Sequence, residues 1–86
     1  MALFDLMGRR HAMRIVWELR NGPLSFRQLQ QNCGDVSSSV LNQRVRDLRA
    51  AGIVSAGGIE LTEEGHQLLK AYEPLTQWAR RWAARA

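Results

Sequence analysis

The segment from Ser37 to Gly52 constrains the fold most, because it has the periodicity and both end signals of one amphipathic helix. At 100° per residue, Leu41, Val45 and Leu48 fall within about 60° of one another, which predicts a buried face. Ser37 is a favourable N-cap residue, and Gly52 accepts the left-handed conformation that ends many helices. We therefore expect a helix that packs one side into a core.

The opposite side of this helix is polar without being acidic. It carries Ser39, Gln43 and Arg46, with Asn42 beside them. Gln and Asn can form paired hydrogen bonds with adenine and Arg with guanine, and short side chains let a helix backbone approach the bases. These residues indicate a helix that reads DNA. Because the same residues also occur on helices that face only water, the neighbouring segments must decide.

The preceding segment predicts a second, shorter helix. Ser25 can cap a helix that continues to Cys33, with Phe26, Leu29 and Cys33 on its inward face. A turn through Gly34 and Asp35 then leads into the polar helix. Two helices joined in this way, the second with a reading face, are typical of a helix-turn-helix.

The flanking segments complete a winged helix-turn-helix. Arg9 and Arg10 are expected to open an earlier helix with four buried positions, Ala12, Ile15, Val16 and Leu19. After Gly52, two β-prone runs surround Gly57-Gly58, which predicts a hairpin, and a hairpin in this position is a wing. The predicted fold class is mainly α with a small β-hairpin.

Length and charge favour one domain with an anionic partner. The 86 residues, taken as a single domain 1–86, suffice for one modest core. The net charge is +4, and 11 of the 12 basic residues are Arg, the side chain best suited to phosphates and base edges.

The last segment, 62–86, predicts a long helix that outruns this core. Thr62 can cap it, and Glu63 and Glu64 suit its positive end. Beyond Leu68 the apolar residues recur with gaps of three and four, as in a coiled-coil seam. An exposed patch of this kind usually marks an interface, so we expect a homodimer through Leu75, Trp78, Ala79 and Trp82.

Several other functions find little support. Cys33 is the only cysteine, and no apolar run is long enough for a membrane span, so we expect a cytoplasmic protein without disulfides. His11 and His66 lack partners at metal-ligand spacing, so no metal or other cofactor is expected. The sequence also shows no phosphate loop, paired carboxylates or nucleophile beside a His, which argues against an enzyme.

Two binding alternatives stay open. A winged helix also serves as a protein-docking module, although that role would favour apolar or acidic residues at Ser39, Gln43 and Arg46. RNA binding would favour exposed aromatic residues on the reading face, and none is present. The three Trp residues could line an effector pocket, but core or interface positions are favoured, and no effector is assigned.

The assembled motifs resemble the HxlR-type family of bacterial winged helix-turn-helix transcriptional regulators. The resemblance covers nearly the whole chain and is most specific where several short motifs occur in order. These are Phe26-Arg27-Gln28-Leu29, Val40-Leu41-Asn42-Gln43-Arg44-Val45-Arg46-Asp47-Leu48, Ala51-Gly52-Ile53-Val54 and Leu61-Thr62-Glu63-Glu64-Gly65.

The resemblance implies a homodimer, held by its N-terminal and C-terminal helices, that sets two recognition helices into the major groove of a near-palindromic double-stranded DNA operator. Leu3 joins the predicted dimer contacts in this scheme. Helical position and family pattern together assign base contacts to Ser38, Ser39, Asn42, Gln43 and Arg46. They assign phosphate contacts to Arg27, Arg44 and Arg49.

This chain departs from the family pattern in three places. Arg9-Arg10-His11-Ala12 replaces the usual Gly-Lys-Trp-Thr, so only the basic residue Arg10 is kept. The usual N-terminal Cys is absent, so thiol sensing is not implied. The short wing has no Arg or Lys at its Gly57-Gly58 tip, so minor-groove contact is not implied either.

Overall fold

The computed structural model describes residues 3–85 as five helices. Met1, Ala2 and Ala86 lie outside the described residues. The predicted domain 1–86 and the predicted last segment 62–86 are therefore described only within residues 3–85. The helices are α1 (Leu3–Met7), α2 (Ala12–Glu18), α3 (Phe26–Asn32), α4 (Ser38–Ala50) and α5 (Glu63–Arg85).

The helix ends follow the predicted caps in α3 and α4. Ser25 and Gln28 form a reciprocal capping box at the start of α3, which satisfies two otherwise unpaired backbone N–H groups. Ser37 Oγ accepts from the backbone N–H of Val40 at 3.4 Å, and Gly52 adopts φ +76° just after α4. Both predicted boundaries of α4 are confirmed.

The expectation that α2 begins at Arg9 and Arg10 is wrong. The helix begins at Ala12, because His11 adopts a left-handed conformation with φ +70° and interrupts helical geometry. The two Arg residues lie instead in the loop between α1 and α2, where the backbone carbonyl of Arg10 is free to accept a side-chain donor.

The core lies where the predicted apolar faces of α2, α3 and α4 meet. The buried side chains from these three helices and their ends include Ala12, Ile15, Val16, Leu19, Leu29, Cys33, Leu41, Val45 and Leu48. Leu6 from α1 and Ile53, Val54 and Leu61 from the segment after α4 close the cluster. The predicted core faces of α2 and α4 and the inward position of Cys33 are confirmed.

The predicted β-hairpin is wrong as a two-stranded ladder. Between residues 3 and 85 no strand forms, and the segment after α4 folds back through one isolated antiparallel bridge between Val54 and Leu61. Two backbone hydrogen bonds flank this bridge, from Ser55 N–H to Glu60 O at 2.9 Å and from Thr62 N–H to Ile53 O at 3.0 Å, and the carbonyls nearer the tip bond elsewhere. Leu24 N–H donates to Ile59 O at 3.1 Å. The side chain of Arg49 donates to the carbonyls of Ser55 and Gly58. The wing is therefore a bridged loop.

The last helix, α5, runs unbroken through Pro74 for 23 residues, about 34 Å. Thr62 caps it as predicted, with its Oγ1 accepting from Gly65 N–H at 3.1 Å. Gly65 is the one buried residue that α5 contributes. No helix within residues 3–85 combines the length and apolarity needed to cross a membrane.

Candidate nucleic-acid interface

Helices α3 and α4 are held as a helix-turn-helix by the tight turn between them. Gly34 and Asp35 both have positive φ, at +80° and +55°, which reverses the chain within a few residues. Gln30 Nε2 donates to Val36 O at 2.8 Å and to Ser38 Oγ at 3.3 Å. These bonds connect α3 to the first turn of α4 and set the position of the recognition helix.

The structure brings the predicted base-reading residues together on one exposed side of α4. Ser38, Ser39, Asn42, Gln43 and Arg46 are all exposed, while the opposite side of the helix is buried. Over 13 residues the helix spans about 20 Å, which is long enough to lie across a major groove. Their contacts with bases remain a prediction.

Three residues of this surface are already joined by hydrogen bonds. Arg46 Nη2 donates to Gln43 Oε1 at 3.1 Å, and Gln43 Nε2 donates to Asp47 Oδ1 at 2.9 Å. The spacings of three and four residues place the groups on adjacent turns of one helix face. The exposed side of α4 therefore carries a connected set of polar groups.

Arg44 belongs to the same network but points away from solvent. Its Nη1 donates to Asp47 Oδ2 at 3.0 Å, and its Nε donates to the backbone carbonyl of Arg10 at 3.0 Å. Its side chain is only 17% exposed. The predicted phosphate contact of Arg44 remains a prediction, but these bonds favour a structural role that joins α4 to the α1–α2 loop.

Asp47 is the centre of this network, and it is not among the site residues that the sequence predicts. The hydrogen bond from Gln43 is the largest cause that holds the pKa of Asp47 below its ordinary value. The hydrogen bond from Arg44 and the charges of Arg9 and Arg44 lower this pKa further, against partial burial, which raises it. The sequence signal that could have indicated these contacts is spacing, because Gln43 and Arg44 lie four and three residues before Asp47 and so fall on the same face of the helix.

Arg49 lies at the end of α4 and supports the wing. Its Nε donates to Ser55 O at 2.8 Å and its Nη2 to Gly58 O at 3.3 Å. Arg27 differs, because within residues 3–85 its exposed side chain forms no side-chain hydrogen bond or salt bridge. Of the three predicted phosphate contacts, Arg27 is thus the one whose guanidinium is freely presented.

The predicted dimer residues are exposed on α1 and on the distal half of α5. Leu3, Leu75, Trp78 and Trp82 have exposed fractions of 48%, 49%, 52% and 62%, and Ala79 is exposed between them. The rings of Trp78 and Trp82 stack with centroids 6.0 Å apart. This apolar surface is contiguous along α5, as expected for a face that meets a partner chain, and the dimer itself remains a prediction.

Cys33 is buried in the core, whereas Trp17 lies at the surface. Burial is the main cause that raises the pKa of the Cys33 thiol, which disfavours the reactive thiolate. Trp17 borders a groove of about 360 Å³ between α2 and α5, with the Arg20 guanidinium 3.9 Å from its ring centroid. In the described part of the chain, no three His, Cys, Asp or Glu side chains converge as metal ligands.

Comparisons with known proteins agree with this architecture. A family model described as HxlR-like helix-turn-helix matches residues 6–86. The chain is 26% identical over 87 residues to YvaP of Bacillus subtilis, an uncharacterized HTH-type transcriptional regulator, covering 91% of this chain and 81% of YvaP.

Two solved structures extend the comparison to three dimensions. Quinone-bound YodB from B. subtilis is similar with a TM-score of 0.83 and 28% identity, over 91% of each chain. A possible HxlR family transcriptional factor from Thermoplasma volcanium is similar with a TM-score of 0.81 and 26% identity, over 98% of this chain and 84% of that one. The family resemblance drawn from the sequence motifs is confirmed.

Proposed function

The chain belongs to the HxlR-like helix-turn-helix family of transcriptional regulators, and we propose that it is a sequence-specific DNA-binding regulator. In this proposal it acts in the cytoplasm as a homodimer on a near-palindromic operator. Each protomer inserts α4 into the major groove.

The observation that carries this proposal is the composition of the exposed side of α4. It offers Asn42, Gln43 and Arg46 as hydrogen-bonding side chains, with Ser38 and Ser39 leaving room near the helix start. The nearest carboxylate, Asp47, is only 11% exposed and is paired with Arg44. A surface that presents donors without an exposed negative charge suits the edges of DNA bases.

Phosphate contacts position such a helix without reading sequence. We assign this role first to Arg27, whose guanidinium is free. Arg44 and Arg49 retain the role only if DNA binding adds bonds to those that they already make within the protein.

The dimer would place two reading surfaces on one side of the DNA. Leu75, Trp78, Ala79 and Trp82 form the contact on α5, and Leu3 adds to it from α1. Two α4 helices in successive major grooves must lie one helical turn apart, about 34 Å. A structure of the dimer would test this spacing directly.

The deciding experiment measures binding of the full chain to genomic fragments and to unrelated DNA across a salt series. We expect preference for particular fragments, and affinity that falls by roughly 10³-fold or more between 50 and 200 mM salt. Arg46→Ala should weaken only the preferred fragment, whereas Arg27→Ala should weaken all fragments alike and reduce the salt slope.

Two outcomes would contradict the proposal. Equal binding to every fragment would remove sequence specificity, and equal losses for Arg46→Ala on all fragments would remove its base-reading role. A salt-independent interaction with no preference would favour the protein-docking alternative.

A further inference from the structure

We propose that Asp47 is a specificity-determining residue that reads no base itself but fixes the orientation of the Gln43 carboxamide. The inference rests on the proposed DNA-binding function and adds a residue to the reading mechanism. The Asp47 carboxylate accepts from Gln43 Nε2 at 2.9 Å, and Gln43 lies one turn earlier in α4.

The two ends of the Gln43 carboxamide face opposite charges. Its Nε2 group donates to the Asp47 carboxylate, and its Oε1 accepts from the Arg46 guanidinium at 3.1 Å. A rotation by 180° would point the amide oxygen at a carboxylate and the NH₂ group at a guanidinium, so both contacts would become repulsive. One orientation of the amide is therefore strongly preferred.

The remaining bonding capacity of Gln43 matches adenine. A carboxamide has two N–H donors and an oxygen with two lone pairs, and the internal bonds use one donor and one lone pair. One donor and one acceptor are left, which is the set that pairs with N7 and N6 of adenine. With the amide fixed, Gln43 can present this pair without losing rotational freedom on binding.

The carboxylate that orients Gln43 is itself held in place. Arg44 Nη1 donates to Asp47 Oδ2 at 3.0 Å, and the same guanidinium is anchored through Nε to Arg10 O. Arg9 Nε lies 4.0 Å from Asp47 Oδ2. Asp47 and Arg44 thus link the Gln43 side chain to Arg10 in the α1–α2 loop, 34 residues before Arg44.

A merely structural role for Asp47 makes a different prediction. If the Asp47–Arg44 pair only stabilised α4, its loss would weaken recognition at every base position. If Asp47 acts through Gln43, its loss should change only the base position that Gln43 reads, and should add nothing once Gln43 is removed.

The test selects bound sequences from a randomised half-site library with the full-length protein. Gln43→Ala first identifies the base position that Gln43 reads, where we expect a preference for adenine of about fivefold to a hundredfold in wild type. Asp47→Asn should reduce the preference at this position to within about threefold of Gln43→Ala. The double variant Gln43→Ala with Asp47→Asn should match Gln43→Ala alone.

Asp5→Asn is the matched control, because it removes the same charge from α1 rather than from the recognition helix. It should keep the wild-type pattern of base preferences. Circular dichroism of each variant should show that the helices are retained.

A second measurement on the wild-type protein covers the case in which Asp47→Asn does not fold. In ¹H–¹⁵N spectra, the side-chain amide protons of Gln43 should exchange more slowly than those of Gln31, an exposed residue on α3 whose side chain forms no hydrogen bond within residues 3–85. Equal exchange for the two residues would overturn the inference.

The inference would also be overturned if Asp47→Asn kept the wild-type preference at the Gln43 position, or reduced preference equally at all positions. A wild-type protein without preference at any position would instead refute the proposed function. The two failures are therefore distinguishable.

Discussion

Arg49 Nε, in the last turn of α4, donates to the backbone carbonyl of Ser55 at 2.8 Å, six residues further along the chain. A second bond, from Nη2 to Gly58 O, spans the loop at 3.3 Å. One side chain thus bonds one carbonyl before the Gly57-Gly58 tip and one within it. The Arg49 side chain therefore holds the wing against the end of α4, and its bonds take the place of further backbone hydrogen bonds between two strands.

Replacing Arg49 by Ala should therefore destabilise the domain and loosen the wing. Loss of two partly buried bonds from a charged donor should lower the free energy of unfolding by about 1–2 kcal/mol. Urea unfolding followed by circular dichroism measures this change. Arg27→Ala removes an equal charge without internal bonds and should change stability by less than about 0.5 kcal/mol. Equal losses for the two variants would show that the wing bonds contribute nothing.

Gly65 is required by close packing between α5 and the segment after α4. A Cβ at this position would overlap the carbonyl oxygen of Ile53 and lie 3.1 Å from the Leu61 side chain. That carbonyl cannot easily move, because it accepts from the backbone N–H of Thr62 at 3.0 Å and from the Thr62 hydroxyl at 3.2 Å. The Gly in the Leu-Thr-x-x-Gly motif thus has a steric cause.

We expect Gly65→Ala to lower the thermal midpoint of unfolding. Overpacking of this kind costs about 1–3 kcal/mol or more, which should exceed the roughly 1 kcal/mol that Ala gains over Gly in a helix. Gly58→Ala is the control, since a Cβ there has no atom within 4 Å. A Gly65→Ala protein as stable as wild type would mean that α5 shifts freely at its start.

The parts of this fold that follow from local spacing could be predicted from the sequence. Leu41, Val45 and Leu48 lie on one side of α4 because a helix has 3.6 residues per turn, and this placement does not depend on distant parts of the chain. Ser25 and Ser37 begin helices because their hydroxyls accept from the N–H groups three residues ahead.

The parts that depend on distant partners could not be predicted in this way. Two β-prone runs around Gly57-Gly58 indicate a hairpin, but nothing in their sequence shows that the Arg49 side chain donates hydrogen bonds to the carbonyls of Ser55 and Gly58. Likewise, an Arg on a recognition helix suggests a phosphate contact, and only the fold shows Arg44 bonded to the carbonyl of Arg10. The positions of candidate base-reading residues followed from periodicity, whereas the contacts that orient them did not.

The contribution of Asp47 to stability should depend on pH in one direction. Its pKa is lowered in the folded protein, chiefly by the hydrogen bond from Gln43, so the folded state binds its proton less readily than the unfolded state does. The stabilisation is therefore complete above the unfolded pKa of about 4 and is lost as the pH falls through the lower folded value.

This dependence is measurable as the difference in urea midpoint between wild type and Asp47→Asn. The difference should be constant from about pH 7 to pH 5 and should shrink below about pH 4. Asp5→Asn is the control, because the Asp5 side chain forms no hydrogen bond or salt bridge within the described residues. We expect its urea midpoint at neutral pH to differ little from that of wild type. A difference that grew as the pH fell would contradict the assignment.

The apolar surface on the distal half of α5 predicts that Trp82→Glu separates the protomers. Trp82 is 62% exposed in one chain and stacks on Trp78, so an interface there would bury both rings. A carboxylate at position 82 would have to lose hydration for the interface to form. Gln77→Glu adds the same charge about 140° around the helix and is the matched control.

Analytical ultracentrifugation across a concentration series, with circular dichroism on the same samples, distinguishes the outcomes. We expect Gln77→Glu to remain dimeric and Trp82→Glu to sediment as a monomer, either folded or unfolded. Because a monomer occupies one half-site instead of two, the folded variant should also lose most of its operator affinity while keeping the base preferences that α4 confers. A folded Trp82→Glu dimer of wild-type affinity would place the interface elsewhere and leave the exposed Trp pair without this role.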